Sequence, residues 1–111
     1  MNDLLHKTCL PCEGGVAPLE ESEMAALLVS LDGTWQLDAA KKYIKRTFTF
    51  QDYYETTAFI QAVAWVAHRE NHHPDICFGY REATISYTTH AIGGLSENDF
   101  ICAAKVDALL A

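Results

Sequence analysis

The sequence predicts an α+β fold in which a four-stranded antiparallel sheet carries helices on one face. Hydrophobic periodicity gives the order helix, two strands, helix, two strands, helix, so the strands come in adjacent pairs rather than alternating singly with helices. A chain of 111 residues has room for one core only. We expect residues 20–111 to form this single domain. Residues 1–19, punctuated by proline and glycine, are expected to form an irregular extension.

In the first half of the domain, the sequence predicts one helix followed by a pair of strands. Acidic residues crowd the start of the helix at 20–31, where the helix dipole favours negative charge. A short strand is expected at 35–37. A longer strand is expected at 41–50, where apolar residues share one parity and Arg46 interrupts the apolar face. We expect the stem of Arg46 to snorkel toward an edge of the sheet.

A second, longer helix is predicted at 52–70. Asp52, with Glu55 three residues later, resembles a capping box. Pro74 cannot continue the helix, and it pushes His73 toward extended backbone geometry. The apolar stripe of this helix is formed by Tyr54, Ala58, Phe59, Ala62, Val63 and Val66.

In the second half of the domain, the sequence predicts another pair of strands and a final helix. Strands are expected at 76–80 and 82–89, and the short link between them indicates an antiparallel pair. A Gly-Gly turn at 93–94 follows. Ser96, with Asp99 three residues later, caps a helix that runs to about residue 110. Because this helix is apolar over most of its circumference, we expect it to be buried or to contact another subunit.

Composition excludes several functional classes. Eight basic and 15 acidic residues give a formal charge of −7, so the chain lacks the basic footprint of a nucleic-acid-binding protein. No apolar run approaches the roughly 20 residues that span a bilayer, and the first residues lack the apolar segment of an export signal. We therefore expect a cytoplasmic protein with reduced thiols and with no membrane or direct nucleic-acid partner.

The four cysteines do not form a recognisable site. Cys9 and Cys12 make a lone Cys-x-x-Cys pair, whereas a zinc ribbon needs two such pairs and a thioredoxin-like site needs a strand before it and a helix after it. We expect no catalytic role for this pair, with a peripheral metal or a disulfide as the alternative. Cys77 and Cys102 fall on a predicted strand and helix and are expected in the core.

Histidines provide the clearest chemical signal. His72 and His73 stand at the end of the second helix, and His90 is expected at the end of the last strand. Both are places from which side chains can project into a cleft. Imidazole has an ordinary pKa of about 6.5, which suits it to accept or donate a proton near neutrality. For any single histidine near a helix end, capping is the ordinary alternative.

Metal binding is the competing interpretation of the histidines. Three imidazoles with one open position are typical of catalytic zinc, but the adjacent His72 and His73 have poor chelate spacing and no carboxylate stands at motif spacing. The chain also lacks dinucleotide, phosphate-loop and nucleophile-elbow motifs. We therefore expect a metal-free site that performs proton transfer without redox or phosphate chemistry.

The order and spacing of these residues resemble those of the pterin-4a-carbinolamine dehydratase family. Similar flanking segments extend the resemblance over about residues 9 to 110, among them a Cys-Glu-Gly-Gly run at 12–15 and Gly-Leu-Ser at 94–96. The signature itself is the ordered set His68, His72, His73, Pro74, Tyr80, His90 and Asp99, with five, nine and eight residues in the last three intervals.

The resemblance implies a dehydratase that removes water from a 4a-hydroxytetrahydropterin to give a quinonoid dihydropterin. This reaction recycles the pterin cofactor after aromatic amino-acid hydroxylation. The family fold is a four-stranded antiparallel sheet with helices on one side, assembled as dimers or tetramers, and the family needs no metal or other cofactor. The implied partners are a pterin substrate, further copies of the chain and an aromatic amino-acid hydroxylase.

Roles are carried over from the family residue by residue. His72 and His90 match the two acid/base histidines, and His73 matches the histidine that holds the pterin. Asp99 matches a signature carboxylate that either binds substrate or caps its helix. His68 stands where the family more often has an acidic residue, so no role is assigned to it. A flat pterin also needs an apolar slot with a few polar groups, for which Trp65, Phe78 and Thr88 are candidates.

A non-catalytic function is the alternative to the dehydratase. Animal members of the family also serve as dimerisation cofactors of a homeodomain transcription factor, so the fold is compatible with a binding or regulatory role, for example toward a hydroxylase. The complete histidine set in this sequence favours catalysis.

Overall fold

The computed structural model describes residues 3–10 and 17–111 of the chain, and it has the predicted order of elements. Short 3-10 turns at Leu4–His6 and His90–Ile92 accompany them. The helices and strands are α1, Glu21–Val29; β1, Gln36–Leu37; β2, Ile44–Thr49; α2, Tyr53–Glu70; β3, Asp75–Phe78; β4, Glu82–Tyr87; and α3, Glu97–Ala108.

The four strands form one sheet in the order β1-β2-β4-β3, and every neighbouring pair is antiparallel. In the register of the central pair, Ile44 lies opposite Tyr87 and Phe48 lies opposite Ala83. Because α2 connects β2 to the edge strand β3, the chain returns to the centre of the sheet only with β4. The predicted α+β fold with an antiparallel sheet is confirmed.

One face of the sheet is buried, because side chains alternate along both central strands. On β2, Ile44 and Phe48 are buried while Lys45 is exposed. The helices cover the buried face: α2 contributes Phe59 and Val63, and α3 is the most buried helix. The core residues of α3 include Phe100, Ile101, Cys102, Ala103 and Val106. Burial of the last helix, expected from its apolar circumference, is therefore confirmed.

Several caps agree with the sequence prediction. The Asp52 carboxylate accepts a hydrogen bond from the Glu55 amide at 2.9 Å, which begins α2. Ser96 and Asp99 form a reciprocal capping box at the start of α3. Helix α1 begins with a similar box between Glu20 and Glu23.

Four expectations about side chains and several about strand boundaries are wrong. The apolar stripe of α2 is narrower than predicted, since Tyr54 is 81% exposed and Ala58 is also exposed. Cys77 is exposed rather than in the core, because β3 is an edge strand. Arg46 does not snorkel to an edge but pairs with Asp107 on α3. Strand β2 begins at residue 44 rather than 41, β3 ends at residue 78 rather than 80, and β4 ends at residue 87 rather than 89.

Residues 4–7 are held along α3. Leu4 is buried, and the Lys105 ammonium donates a hydrogen bond to the Leu5 carbonyl at 2.8 Å. Lys7 forms an ion pair with Glu97 at 3.1 Å. Within the described ranges, no helix is long and apolar enough to cross a bilayer.

Candidate functional site

The end of α2 positions the adjacent histidines. Asn71 adopts a left-handed conformation, with φ 53° and ψ 44°, which terminates the helix. Asparagine tolerates this conformation better than most residues. The His72 amide still donates to the Ala67 carbonyl at 3.1 Å, and Pro74 then continues the chain into β3. The two histidines therefore stand on the short link between a helix and an edge strand.

His90 lies in a different link of the chain, between β4 and α3. After β4, Thr89 forms an isolated bridge with Gly94, and a 3-10 turn begins at His90. Gly93 ends this turn with a φ of 65°, a value that favours glycine. His90 thus stands on a tight turn that is closed by a backbone bridge, rather than at the end of a strand as predicted.

All three predicted histidines line one open pocket of about 370 Å³. The rings of His73 and His90 lie almost parallel, with their centroids 6.1 Å apart. Both of these side chains are exposed, whereas His72 is half-buried. The described residues that line it are Cys9, Leu10, Glu70, Asn71, His72, His73, Thr88, Thr89, His90, Ala91 and Asn98. This volume lies within the range of about 300–1,000 Å³ that is usual for small-molecule sites.

Asp99 lies behind His72 and is fully buried. One carboxylate oxygen contacts His72 Nε2 at 2.6 Å, and the other accepts from the Thr89 hydroxyl at 2.8 Å and the Ser96 amide at 2.9 Å. Since a carboxylate can only accept hydrogen bonds, Nε2 carries the proton. Nδ1 is then the ring nitrogen that His72 has left for a ligand. Asp99 does not itself line the pocket.

The Tyr87 ring packs against a face of the His72 ring, whereas Asp99 contacts its edge. The two rings are nearly parallel, with centroids 5.8 Å apart and an interplanar angle of 12°. Burial, aided by the nearby Cys102 thiol, raises the pKa of Tyr87 far above its usual value. Within residues 3–10 and 17–111, its hydroxyl has no hydrogen-bond partner. His72 is therefore held from two directions, by a carboxylate and by an aromatic ring.

Cys9 and Leu10, which precede α1, line another side of the pocket. The Cys9 amide donates to Glu70 Oε1 at 2.9 Å, and the Cys9 sulfur lies 3.5 Å from that of Cys102. The Cys9 thiol, together with burial, raises the pKa of the Cys102 thiol. Asn98 bonds the main chain of Leu10. Sequence reasoning assigned no site role to these residues, because nothing local in the sequence signals contacts that join residues 61 to 93 positions apart.

Several other expected residues lie elsewhere or are already occupied. Trp65 and Phe78 do not line this pocket, and the His68 ring packs against Trp65 at 5.0 Å. Thr88 does line it, but its hydroxyl donates to the Lys42 carbonyl. Cys12 and the glycines that follow it lie outside the described residues. In the part of the chain that is described, no three His, Cys, Asp or Glu side chains cluster as a metal site.

Sequence comparisons relate the chain to one family. The family model "Pterin 4 alpha carbinolamine dehydratase" matches residues 17–109. A relative from Nitrosomonas eutropha is 60% identical over 97% of this chain and 94% of its own length. One from Legionella pneumophila is 47% identical over 98% of this chain and 96% of its own. Both are provisionally named as pterin-4-alpha-carbinolamine dehydratases.

Two solved structures are similar to this fold. A transcriptional coactivator/pterin dehydratase from Brucella melitensis matches with a TM-score of 0.80 and 32% identity, covering 85% of this chain and 99% of that one. A pterin dehydratase-like protein described as a RuBisCO assembly factor in the alpha-carboxysome matches with a TM-score of 0.60 and 28% identity. The latter match covers 68% of this chain and 88% of that one.

Proposed function

The chain belongs to the pterin-4α-carbinolamine dehydratase family, and from this premise we propose that it removes water from a 4a-hydroxytetrahydropterin to give a quinonoid dihydropterin. The observation that supports this most directly is the convergence of His72, His73 and His90 on one pocket of suitable volume. These residues come from two links of the chain that are distant in sequence, so their meeting is a property of the fold.

The reaction requires two proton transfers. The C4a–OH bond breaks, and hydroxide is a poor leaving group unless it receives a proton as it departs. N5 must lose its proton so that the N5=C4a double bond can form. One group that donates and one that accepts, placed at the two neighbouring atoms of the ring, supply both transfers. Each such positioned acid or base contributes a factor of about 10²–10⁴ in rate.

His72 is the proposed base. Because Asp99 holds the proton on Nε2, Nδ1 is the acceptor nitrogen and can take the proton from N5. Asp99 thus acts through His72 as a positioning residue, since it is buried behind the ring and does not reach the pocket. The stacked Tyr87 ring keeps the plane of the imidazole fixed.

His90 is the proposed acid, which protonates the departing hydroxyl. It is exposed at the pocket, so water can return its proton after each turnover. His73 is almost parallel to it at 6.1 Å between centroids, and we assign to His73 the binding of the pterin ring. Thr88 borders the same space, although its own hydroxyl proton is bound to the Lys42 carbonyl.

Dehydration of a freshly generated 4a-hydroxytetrahydropterin, measured above the rate in buffer alone, tests the proposal. We expect His72→Ala and His90→Ala each to lower kcat by about 10²–10⁴, because each removes one proton transfer. His73→Ala is expected to raise KM more than it lowers kcat. His68→Ala is the matched control, since that imidazole packs against Trp65 and does not line the pocket.

The proposal fails if the folded wild-type chain does not accelerate dehydration. The site assignment fails if His72→Ala and His90→Ala are as active as His68→Ala while circular dichroism shows all three folded.

A binding function without catalysis is the second candidate. It is favoured by the similarity to a pterin dehydratase-like protein described as a RuBisCO assembly factor. The same assay separates the two candidates, because a binding protein has no need of proton transfer at the histidines.

The biological setting belongs to the proposal as well. The dehydratase would return pterin to a cofactor cycle beside an aromatic amino-acid hydroxylase, in the cytoplasm, as a homodimer or homotetramer. Light scattering of the purified chain measures its oligomeric state, and pull-down with a hydroxylase tests the partnership.

A further inference from the structure

We propose that residues 3–10, here called the strap, hold Cys9 and Leu10 in the wall of the substrate pocket, and that Leu10 is the apolar contact for the pterin ring. This inference rests on the proposed function, because the substrate class is taken from it. The observations that support it concern the strap's attachment to the domain and the composition of the pocket.

The strap is anchored at its start by burial and charge. Leu4 is only 2% exposed, and the Leu5 carbonyl accepts a hydrogen bond from Lys105 at 2.8 Å. Lys7 pairs with Glu97 at the first turn of α3. The strap therefore follows α3 from its last turns toward its N-terminus, which is the end that carries Asp99.

At the pocket, Asn98 clamps the main chain of Leu10 from both sides. Its Oδ1 accepts from the Leu10 amide at 3.0 Å, and its Nδ2 donates to the Leu10 carbonyl at 2.7 Å. Asn98 is 8% exposed, and these are the hydrogen bonds that its side chain makes among the described residues. Because a buried amide without partners is unfavourable, the strap and Asn98 stabilise each other.

A second clamp ties the strap to the catalytic histidine. Glu70 is the last residue of α2, two positions before His72, and its carboxylate accepts from the Cys9 amide at 2.9 Å. The Glu70 side chain is about 10% exposed and also faces Lys105 at 3.8 Å. The position of the strap is thus set by the same helix end that positions His72.

The strap supplies the large apolar side chain of the pocket. Among the described residues that line it, Leu10 is the only large apolar side chain, and most of the others are polar. A flat heterocycle needs an apolar surface against its face as well as polar groups at its edge. The Leu10 residue is 74% exposed although its main chain is fixed, which is the state expected of a side chain that a ligand covers.

The experiment uses the full chain with two substitutions that act on the strap in different ways. Leu10→Ala shortens the contact but keeps the clamp. Asn98→Asp keeps an acceptor for the Leu10 amide but removes the donor to its carbonyl; at the second position of α3, a carboxylate suits the helix dipole. For both variants we expect KM for the 4a-hydroxytetrahydropterin to rise about fivefold or more, with kcat within about twofold.

Val29→Ala is the matched control, because Val29 is also an exposed apolar side chain, at 83%, and lies on α1 away from the pocket. We expect its KM and kcat to equal those of the wild type. Amide hydrogen exchange supplies a readout that needs no activity. The Cys9 and Leu10 amides should be protected in the wild type and in Leu10→Ala. In Asn98→Asp the Leu10 amide keeps an acceptor, but loss of the bond to the Leu10 carbonyl loosens the strap there, so this amide should exchange faster.

The outcomes separate this inference from the proposed function. A wild-type chain that is inactive contradicts the proposed function, and with it the substrate contact, while protected strap amides would still show the clamp. An active wild type whose KM is unchanged by Leu10→Ala and Asn98→Asp overturns the strap inference alone. Fast exchange of the Cys9 and Leu10 amides in the wild type overturns it as well.

Discussion

Two aspartates on the same helix, eight residues apart, have opposite surroundings. Asp99 lies in the first turn of α3, where the helix dipole favours negative charge, and its partners are an imidazole, a hydroxyl and a backbone amide. Asp107 lies in the last turn, where the dipole opposes a carboxylate. It accepts from the Trp35 indole at 2.9 Å and from the Arg46 guanidinium at 2.6 Å.

The two aspartates also differ in whether the partner side chain can gain or lose a proton near neutral pH. The guanidinium of Arg46 stays charged at every physiological pH, so its pair with Asp107 does not depend on titration of the cation. The pair holds β2, which carries Arg46, against the end of α3. An imidazole gains and loses its proton near neutrality, so the pair of Asp99 with His72 can take part in proton transfer. Under the proposed function, one end of α3 therefore serves the reaction, and the other serves the fold.

The largest effect that follows from this comparison is on catalysis in Asp99→Asn. The amide oxygen must accept from the Ser96 amide and the Thr89 hydroxyl, so the amide nitrogen faces His72. His72 then has to accept at Nε2 and carry its proton on Nδ1, which removes the proposed base. We expect kcat to fall by about 10²–10⁴.

Asp107→Asn is the matched control, since it makes the same chemical change at the other end of the helix, away from the pocket. It should retain kcat within about twofold. Nitrogen-15 NMR of the His72 ring gives a direct measurement: Nε2 carries the proton in the wild type, and Nδ1 should carry it in Asp99→Asn. Equal activity of the two aspartate variants would contradict the division of roles between the helix ends.

An intermediate effect, on stability alone, is expected from Arg46→Met. Methionine keeps an unbranched stem over the Phe48 ring, which the guanidinium carbon now overlies at 4.2 Å, but it leaves Asp107 without its cation. Both side chains of the pair are about 20% exposed, so the loss should be smaller than for a fully buried pair. We expect the free energy of unfolding to fall by about 2 kcal/mol.

Urea unfolding followed by tryptophan fluorescence measures this loss, and the dehydration assay should show kcat within about twofold of the wild type. Lys45→Met is the control, because Lys45 is the exposed neighbour of Arg46 on the same strand. A loss of activity in Arg46→Met at full stability would show that the far end of α3 affects the reaction.

The elements of the fold were predictable because their signals are local. Capping residues, periodic apolar positions and Pro74 each act within a few residues, and they define α2 and the strand pairs closely. The histidines were recognisable for a similar reason, since two of them are adjacent. Where prediction failed for Cys77, the missing fact was the strand order, which places β3 at an edge.

Partners that are distant in the sequence were not predictable from local pattern. Arg46 and Asp107 are 61 positions apart, and Leu10 and Asn98 are 88 apart. The sequence shows that such residues are polar or apolar, but their partners depend on how whole elements pack. The part of the pocket wall that Cys9, Leu10 and Asn98 contribute therefore required the structure.

The smallest effect concerns the pH dependence of stability at Asp107. Burial raises the pKa of this carboxyl above its ordinary value of 3.8, and the opposing hydrogen bond from Trp35 and attraction of Arg46 do not fully offset it. The folded chain therefore binds the Asp107 proton more tightly than the unfolded chain does. The stabilising contribution of this proton is complete below about pH 3.8 and is lost as the pH rises through the folded pKa.

Asp107→Asn isolates this contribution, because the amide resembles the protonated carboxyl and does not titrate. We expect the wild type to lose stability relative to the variant as the pH is raised from 3.5 to 7, so that Asp107→Asn is more destabilising at acid pH than at neutral pH. Urea midpoints of both proteins across this range measure the difference. A gap that stays constant would mean that the ion pair with Arg46 balances the effect of burial, and a gap that widens with rising pH would mean that the ion pair outweighs it. In either case, ionised Asp107 would stabilise the folded chain at least as well as protonated Asp107 does.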